Sequence, residues 1–372
     1  MKLTDDKRYM MLALSLGRRG NGNTAPNPSV GCVIVNQGRI VGRGWTQTTG
    51  RPHAETMALA QAGSAAQGAD VYVTLEPCAH YGQTPPCAKG LIAARVKRIV
   101  VAVQDPEPRV NGAGLEMLRA AGITVETGLC ADIAAMDLVG FMLMIKQKRP
   151  FVTLKLASSF DGRIATGSGE SQWITGTQAR HAVHAMRARH DAVIGGGTAR
   201  HDDPSLTVRG LGIPYQPIRI VASRGLDIPL KGKLARTAAE TPLVLCHGAD
   251  ADPALQGSWR NLGANLLQCN IIGTQLDPRD ILHKLALQGI TRVFCEGGGA
   301  LAASMIQADL VDRLVGFTAG LTIGAEGLPN LGLLGLKKLT KAPRFNLQSV
   351  SSIGNDICHE WTREIPDLLC TS

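Results

Sequence analysis

One ordered set of side chains limits what this 372-residue chain can fold into. His53-Ala54-Glu55 opens a helical pattern, and Pro77-Cys78-Ala79-His80 follows a strand pattern. Cys87 stands behind Pro85-Pro86, with eight residues between the two cysteines. One imidazole and two thiolates suit tetrahedral Zn2+ and leave a fourth position for water, which separates a catalytic site from a closed structural one. A fold that joins them must bring a helix start and a strand end to one point. Zinc lowers the pKa of its water, and a carboxylate two residues from the ligand, Glu55, can take that proton and hand it on. Helix N-termini favour thiolate through their partial positive charge, and both His53 and Cys78 are expected near such termini. A closed zinc knot would need a fourth ligand, for which His80 is the near candidate.

The set matches the general zinc-deaminase signature, H-x-E with P-C-x-x-C, with its second half stretched. Composition decides the setting. At 44% hydrophobic and 19% charged residues the chain is of ordinary globular type. No run approaches the roughly 18 apolar residues of a membrane span. The N-terminus lacks an apolar signal core, so a cytoplasmic location is expected rather than secretion. Nine cysteines, an odd number scattered over the chain, argue against a disulfide framework and for a reducing compartment. The net charge is +9, of which +6 lies in residues 1–150. Aromatic residues are only 4% and are not interleaved with arginines, so a stacking platform for single-stranded nucleic acid is not supported. Small phosphorylated molecules fit the charge, with no nucleic-acid or membrane partner expected.

Periodicity predicts a helix from Thr4 to about Leu16, a hairpin of Val30–Val35 and Arg39–Gly44 around Asn36-Gln37-Gly38, and a helix over Ala54–Ala62. Strands at Val71–Leu75, Ile99–Val103 and Ile123–Glu126 alternate with helices at Cys87–Arg95 and Gly114–Ala121. This pattern argues for a layered α/β domain. Residues 131–147 read as one Met- and Leu-rich helix, and Arg149-Pro150 breaks it, which gives domains of 1–149 and 150–372. The second half carries strands at Phe151–Ala157, Ala192–Ile194, Ile218–Ala222, Leu243–Cys246 and Val293–Cys295, a helix near Gln178–Arg189, and an antiparallel pair, Arg344–Val350 with Asp356–Arg363. The apolar runs Met142–Ile145 and Leu331–Leu336 are candidates either for subunit contact in a homo-oligomer or for ordinary core.

A second constellation reads strand, glycine loop, helix: Val293-Phe294-Cys295-Glu296-Gly297-Gly298-Gly299-Ala300. Glycines let a backbone approach a phosphate, and a helix N-terminus offers free N–H groups. A Rossmann fingerprint would open its domain, whereas this loop comes late, so a Rossmann reading is rejected. A tight strand-to-helix turn is the plain alternative.

The stretch Pro77-Cys78-Ala79-His80-Tyr81-Gly82-Gln83-Thr84-Pro85-Pro86-Cys87 resembles the bifunctional riboflavin-biosynthesis deaminase/reductase family. So do Asn27-Pro28-Ser29-Val30-Gly31, Lys155-Leu156-Ala157-Ser158-Ser159, Asp161-Gly162, Ser171-Gln172-Trp173-Ile174, Asp202-Asp203-Pro204, Leu206-Thr207-Val208-Arg209 and Glu296-Gly297-Gly298. The resemblance covers nearly the whole chain. It implies a cytidine-deaminase-like three-layer α/β/α domain followed by a dihydrofolate-reductase-like α/β domain. The first would hydrolyse the 2-amino group of a diaminopyrimidinone ribosylamine phosphate, and the second would reduce the ribose to ribityl with NADPH. It implies that His53, Cys78 and Cys87 hold zinc, that Glu55 shuttles the proton, and that Asn27 and His80 line the substrate pocket. It further implies NADPH contacts from Ala157, Trp173, Thr198, Asp202, Ser223 and the segment Gly298, Gly299, Ala300, Leu301, Ala302, Ala303 and Ser304. Lys155, Ser171, Arg187, Leu206, Arg209 and Glu296 would contact the substrate. Arg187 and Arg209 suit a bidentate phosphate clamp. Lys155 is otherwise a solvent-facing strand residue, and Trp173 otherwise a packed core aromatic. Arg224 is a candidate for the 2′-phosphate. The family commonly has a His seven residues before the zinc His, where this chain has Thr46.

Two other function classes compete. An RNA or nucleoside zinc deaminase with an accessory nucleotide-binding domain explains the zinc site but leaves more than 200 residues unexplained. A non-catalytic zinc-stabilised nucleotide-binding protein predicts that Glu55→Ala is silent.

Overall fold

A computed structural model describes residues 3–82, 85–197 and 202–365. Contacts divide the described chain into two units that meet between Arg149 and Pro150. The first unit carries a five-stranded sheet in the order β2-β1-β3-β4-β5. These strands are β1 (Gly31–Asn36), β2 (Arg39–Trp45), β3 (Asp70–Leu75), β4 (Arg98–Val103) and β5 (Thr124–Thr127). β1 pairs antiparallel with β2 and β3, while β3, β4 and β5 run parallel. The β1–β2 turn puts Gln37 and Gly38 at φ 50° and 76°, as a two-residue turn matched to strand twist demands.

Helix α1 (Leu3–Gly17) and α5 (Ala131–Asp137) lie on one face. On the other lie α2 (Ala54–Ala62), α3 (Cys87–Ala93) and α4 (Ala113–Ala120). The layers are therefore α/β/α. Met10, Leu14, Val33, Tyr72, Ile99 and Leu118 fill the core between them. Three glycines set the helix distances. A Cβ on Gly31 would overlap the Ala13 carbonyl oxygen, and one on Gly44 or Gly42 would overlap the carbonyl oxygens of Ala54 or Ala58. Helices α1 and α2 thus seat backbone against backbone on the hairpin.

The single helix expected over 131–147 is two, α5 and α6 (Val139–Gln147), because Leu138 between them takes φ −95°, ψ 4°. Met142 and Leu143 are buried, so that run belongs to the core.

The second unit is built on nine strands in the order β11-β10-β9-β8-β14-β6-β15-β18-β17. They are β6 (Phe151–Ser159), β8 (Ala192–Gly195), β9 (Ile218–Ala222), β10 (Leu243–His247), β11 (Asn265–Gln268), β14 (Arg292–Cys295), β15 (Arg313–Ala319), β17 (Asn346–Ile353) and β18 (Asp356–Thr362). β7 (Arg163–Ala165) pairs with β16 (Leu328–Pro329), and β12 (Ile271–Ile272) with β13 (Gln275–Leu276). All neighbours from β11 through β15 are parallel, and the β17–β18 hairpin closes the sheet antiparallel. The parallel part reads as continuous apolar runs because helices cover both faces. Those helices include α7 (Thr177–Arg187), α8 (Lys233–Arg236), α9 (Pro253–Asn261), α10 (Pro278–Leu287) and α11 (Gly299–Gln307). α9 and α10 start alike: Asp252 and Asp277 cap the first turn, each followed by proline at the first helical position. In an open parallel sheet the loops at the carboxyl ends of the strands are where ligands bind. Among the described residues no helix is long and apolar enough to cross a membrane.

Candidate functional site

In the first unit, His53 is the N-cap of α2 and Glu55 lies in its first turn. Cys87 begins α3 behind its N-cap Pro86. Cys78, which the sequence places near a helix N-terminus, lies instead in the loop after β3. Its Sγ nevertheless accepts the backbone N–H of Cys87 at 3.3 Å, so the helix terminus reaches it through space. His53 Nδ1 is 3.7 Å from Cys78 Sγ and 3.4 Å from Cys87 Sγ. The three ligand atoms lie within 4.8 Å of one another. That donor set fits zinc with an open position, and His80 is not part of it.

The Cys87 hydrogen bond lowers the Cys78 thiol to about 4 and His53 reinforces it, while the Cys87 thiol is pushed up. The Cys78 contact raises the His53 imidazole above its ordinary value. Burial pushes the Glu55 carboxyl up to about 7, opposed by His53. A carboxyl held near neutrality is suited to take and return a proton.

The cluster opens into a cavity of about 130 Å³ lined by Asn27, Thr46, His53, Glu55, Cys78 and His80, together with Arg51, Asp105, Glu107 and Arg109. Asn27 donates to the Gly50 carbonyl at 3.0 Å. His80 Nδ1 is buried with no hydrogen-bond partner among the described residues, a polar atom available to a ligand. Thr46 is a bracket: its hydroxyl accepts from the Val30 N–H at 2.9 Å and donates to the Pro28 carbonyl at 3.0 Å. The last four lining residues were not singled out from the sequence. Arg51 stands two residues from the candidate metal ligand His53, the one local signal that marks it. Glu76, itself part of the lining, braces this wall by accepting the N–H groups of Asp105, Gly112 and Gly114 at 3.2, 3.0 and 2.9 Å.

In the second unit the structure brings together three of the named residues from distant segments. Arg187, at the end of α7, grips Glu296, just after β14, through Nε–Oε1 at 2.5 Å and Nη2–Oε2 at 3.0 Å. Its Nη1 donates to the Thr207 carbonyl at 2.7 Å, which ties down the loop carrying Leu206 and Arg209. Lys155 on β6 feels both. Burial lowers its ammonium below the usual range, with Glu296 opposing. Burial would raise Glu296, but Arg187 and Lys155 together hold its carboxyl low. Lys155 is therefore not the solvent-facing strand residue of the plain alternative.

The other named positions are more dispersed. Leu206 is buried at φ 54°, and the Arg209 side chain is exposed. Trp173 is 67% exposed beneath the Arg180 guanidinium, 4.4 Å from its ring centre, so it is not a core aromatic. Ser223 is buried and donates to Asp227 at 2.8 Å. Ala157 and Ser171 are half-buried, and Asp202 is exposed. Thr198 lies outside the described residues. Arg224 is held by Asp250 at 2.5 Å, so any anion must compete with that carboxylate. Gly298 is the N-cap of α11, which starts at Gly299. Ala300 is exposed and Leu301 and Ser304 half-buried, whereas Ala302 and Ala303 turn into the core and have no side-chain surface for a ligand. Gly299 is needed for the chain itself: a Cβ there would sit 3.1 Å from both the Gly332 nitrogen and the Pro329 oxygen.

Two family models match the chain. The RibD C-terminal domain family matches residues 150–359, and the zinc-binding region of cytidine and deoxycytidylate deaminases matches residues 3–103. The riboflavin biosynthesis protein RibD of Aquifex aeolicus is 40% identical over 353 residues, 95% of this chain and 97% of that one. A solved structure of Acinetobacter baumannii RibD has a TM-score of 0.88 at 38% identity, covering 97% of this chain and 99% of its own. That of a diaminohydroxyphosphoribosylaminopyrimidine deaminase/5-amino-6-(5-phosphoribosylamino)uracil reductase from Thermotoga maritima has a TM-score of 0.85 at 31% identity, with coverage of 97% and 99%. The chain belongs to the RibD family of bifunctional riboflavin-biosynthesis enzymes, a zinc-binding deaminase joined to an NADPH-dependent reductase.

Proposed function

We propose that residues 1–149 deaminate 2,5-diamino-6-(5-phosphoribosylamino)pyrimidin-4(3H)-one and that residues 150–372 then reduce the ribosyl group of the product to ribityl, in the cytoplasm. The observation that carries this is the convergence of His53, Cys78 and Cys87 beside a buried Glu55, in a pocket with room for a ligand. The name of the Thermotoga maritima protein describes the same two reactions for that protein.

His53, Cys78 and Cys87 would hold zinc, which would supply an activated water, and bound NADPH would supply hydride. Glu55 takes a proton and returns it to the departing amine. Burial is what fits it for both directions, because its carboxyl titrates near the working pH. Asn27 and the unpartnered Nδ1 of His80 orient the pyrimidine.

In the reductase, the Arg187 fork is already matched by Glu296, so the pair acts as a rigid polar wall rather than as a loose phosphate clamp. Lys155, desolvated beside Glu296, is placed to donate to a sugar oxygen. Ser171, Leu206 and Arg209 complete the substrate side. Ala157, Trp173, Thr198, Asp202, Ser223 and the Gly298–Ser304 segment take NADPH, the last through free N–H groups at the start of α11.

The test is NADPH oxidation on mixing the purified protein with the diaminopyrimidinone phosphate, beside Glu55→Ala. Oxidation by the parent that is lost in Glu55→Ala and restored by the deaminated product supports deamination followed by reduction. No oxidation with the deaminated product removes the reductase assignment. Deamination of RNA would instead favour the editing alternative.

A further inference from the structure

The strands β14, β6 and β15 are parallel neighbours, so the loops that follow them leave the same end of the sheet. Glu296 and the glycine loop follow β14, Phe160-Asp161-Gly162 follow β6, and residues 320–335 follow β15. This last segment is held at both ends. At its start, Asp161 Oδ2 accepts the Gly324 N–H at 2.7 Å, and Oδ1 accepts the Ile323 N–H at 3.1 Å and the Ser159 hydroxyl at 2.6 Å. The Phe160 N–H donates to the Leu321 carbonyl at 2.8 Å. At its middle, β16 pairs with β7, and the Asn330 N–H donates to the Gly162 carbonyl at 3.0 Å. At its end, the Gly332 N–H donates to the Gly299 carbonyl at 2.9 Å. That last contact is glycine on glycine. A Cβ on Gly332 would meet the Gly299 oxygen at 3.0 Å, and a Cβ on Gly299 would meet the Gly332 nitrogen at 3.1 Å.

We propose that Asp161 is a positioning residue for the reduction: its carboxylate pins residues 321–332 as a strap against Gly299, and the strap fixes the glycine loop that seats the dinucleotide. The inference rests on the assignment of the Gly298–Ser304 segment to NADPH. Asp161 acts through two backbone amides and the far end of the segment those amides begin. Its hydrogen bonds from Ser159 and from Gly324 hold the carboxyl down to about 2, so it is ionised throughout the working range and the clasp is charge-assisted. Gln307 adds a second tie from α11, donating to the Leu333 carbonyl at 3.1 Å. The strap therefore follows α11 from its first residue to its last turn. A loosened strap would let the helix start drift while leaving Arg187, Glu296 and Lys155 in place.

The experiment uses the full-length zinc-loaded enzyme and measures NADPH binding by fluorescence titration, with steady-state reduction of the deaminated substrate. Asp161→Ala is expected to weaken NADPH binding, and to raise its KM, by about tenfold. kcat at saturating NADPH should stay within about twofold, and deamination should be unchanged. Asp161→Asn, which keeps one acceptor oxygen, should fall between. A role in folding alone would lower the active fraction and leave Kd unaltered. Ala300→Glu, on the exposed first turn of α11, is the companion variant. If Ala300→Glu weakens NADPH binding and Asp161→Ala does not, the strap inference is wrong and the cofactor seat stands. If neither changes Kd, the seat assignment fails and the strap inference fails with it. Gly332→Ala perturbs the opposite end of the strap and carries the test if Asp161→Ala does not fold. The same split between KM and kcat is expected, and an unaltered KM overturns the proposal.

Discussion

Neutralising Glu296 strands two cations. Glu296→Gln keeps the volume but leaves Arg187 and Lys155 facing each other without an anion. The Arg187 and Glu296 side chains are only 12% and 10% exposed, so water screens the pair poorly. Removing one partner of a buried pair costs about 3–5 kcal/mol. Arg187 keeps its bond to the Thr207 carbonyl and glutamine still accepts one hydrogen bond, which argues for the lower end, about 3 kcal/mol. For a unit of this size each kcal/mol moves the midpoint by roughly 2–4 °C, so the reductase transition should fall by roughly 6–12 °C. Calorimetry on the full chain reads this, and the relevant transition is the one that NADPH raises. The same variant changes the pH dependence. The Glu296 carboxyl is held below its ordinary value in the folded state, so its contribution is present above the unfolded glutamate range and is lost as pH falls through the folded value. The parent and variant curves should therefore converge in acid. In a double-mutant cycle, Arg187→Met with Glu296→Met should be less damaging than the sum of the singles by about 2 kcal/mol. Additive singles, or a gap that persists in acid, would refute the reasoning.

Three further outcomes are expected. Glu55→Gln should lower deamination by about 10²–10⁴-fold and leave bound zinc, measured by elemental analysis, and reduction of the deaminated product unchanged. Cys87→Ser, or chelation of the parent, should remove zinc and deamination together while far-ultraviolet circular dichroism stays native. Thr46→Val deletes the hydroxyl that satisfies the Val30 amide, so the first unit should lose about 1–3 kcal/mol in denaturant melts.

The zinc site was legible because its chemistry is written into short segments: His53 and Glu55 share one turn, and two prolines frame the cysteines. The candidate reductase residues could be named from the sequence but not paired. Arg187 and Glu296 are 109 residues apart, and only the parallel packing of β14 beside β6 and the approach of α7 bring them onto each other and Lys155. Strand β15 carries a weak sequence signal because Gly316 interrupts its apolar pattern, although the strand lies inside the sheet between β6 and β18. A Cβ at Gly316 would run into the His359 ring on β18, which is a tertiary reason for glycine that no local rule reveals. Helices α9 and α10 do carry a local signal, the Asp-Pro pairs 252–253 and 277–278. The break at Leu138 had no proline or glycine to announce it. Asp161 was visible as part of a motif, but its partners 162 and 163 residues away were not.

The glycine seats on the β1–β2 hairpin reach beyond packing. Because α2 rests on that hairpin through its own carbonyls, the position of His53 at its head is set by main-chain geometry and owes little to any side chain. One candidate ligand is thus carried on a scaffold of backbone contacts, so a Cβ at Gly42 or Gly44, which would overlap the Ala58 or Ala54 carbonyl oxygen, should displace His53 more than trimming a side chain around α2 would.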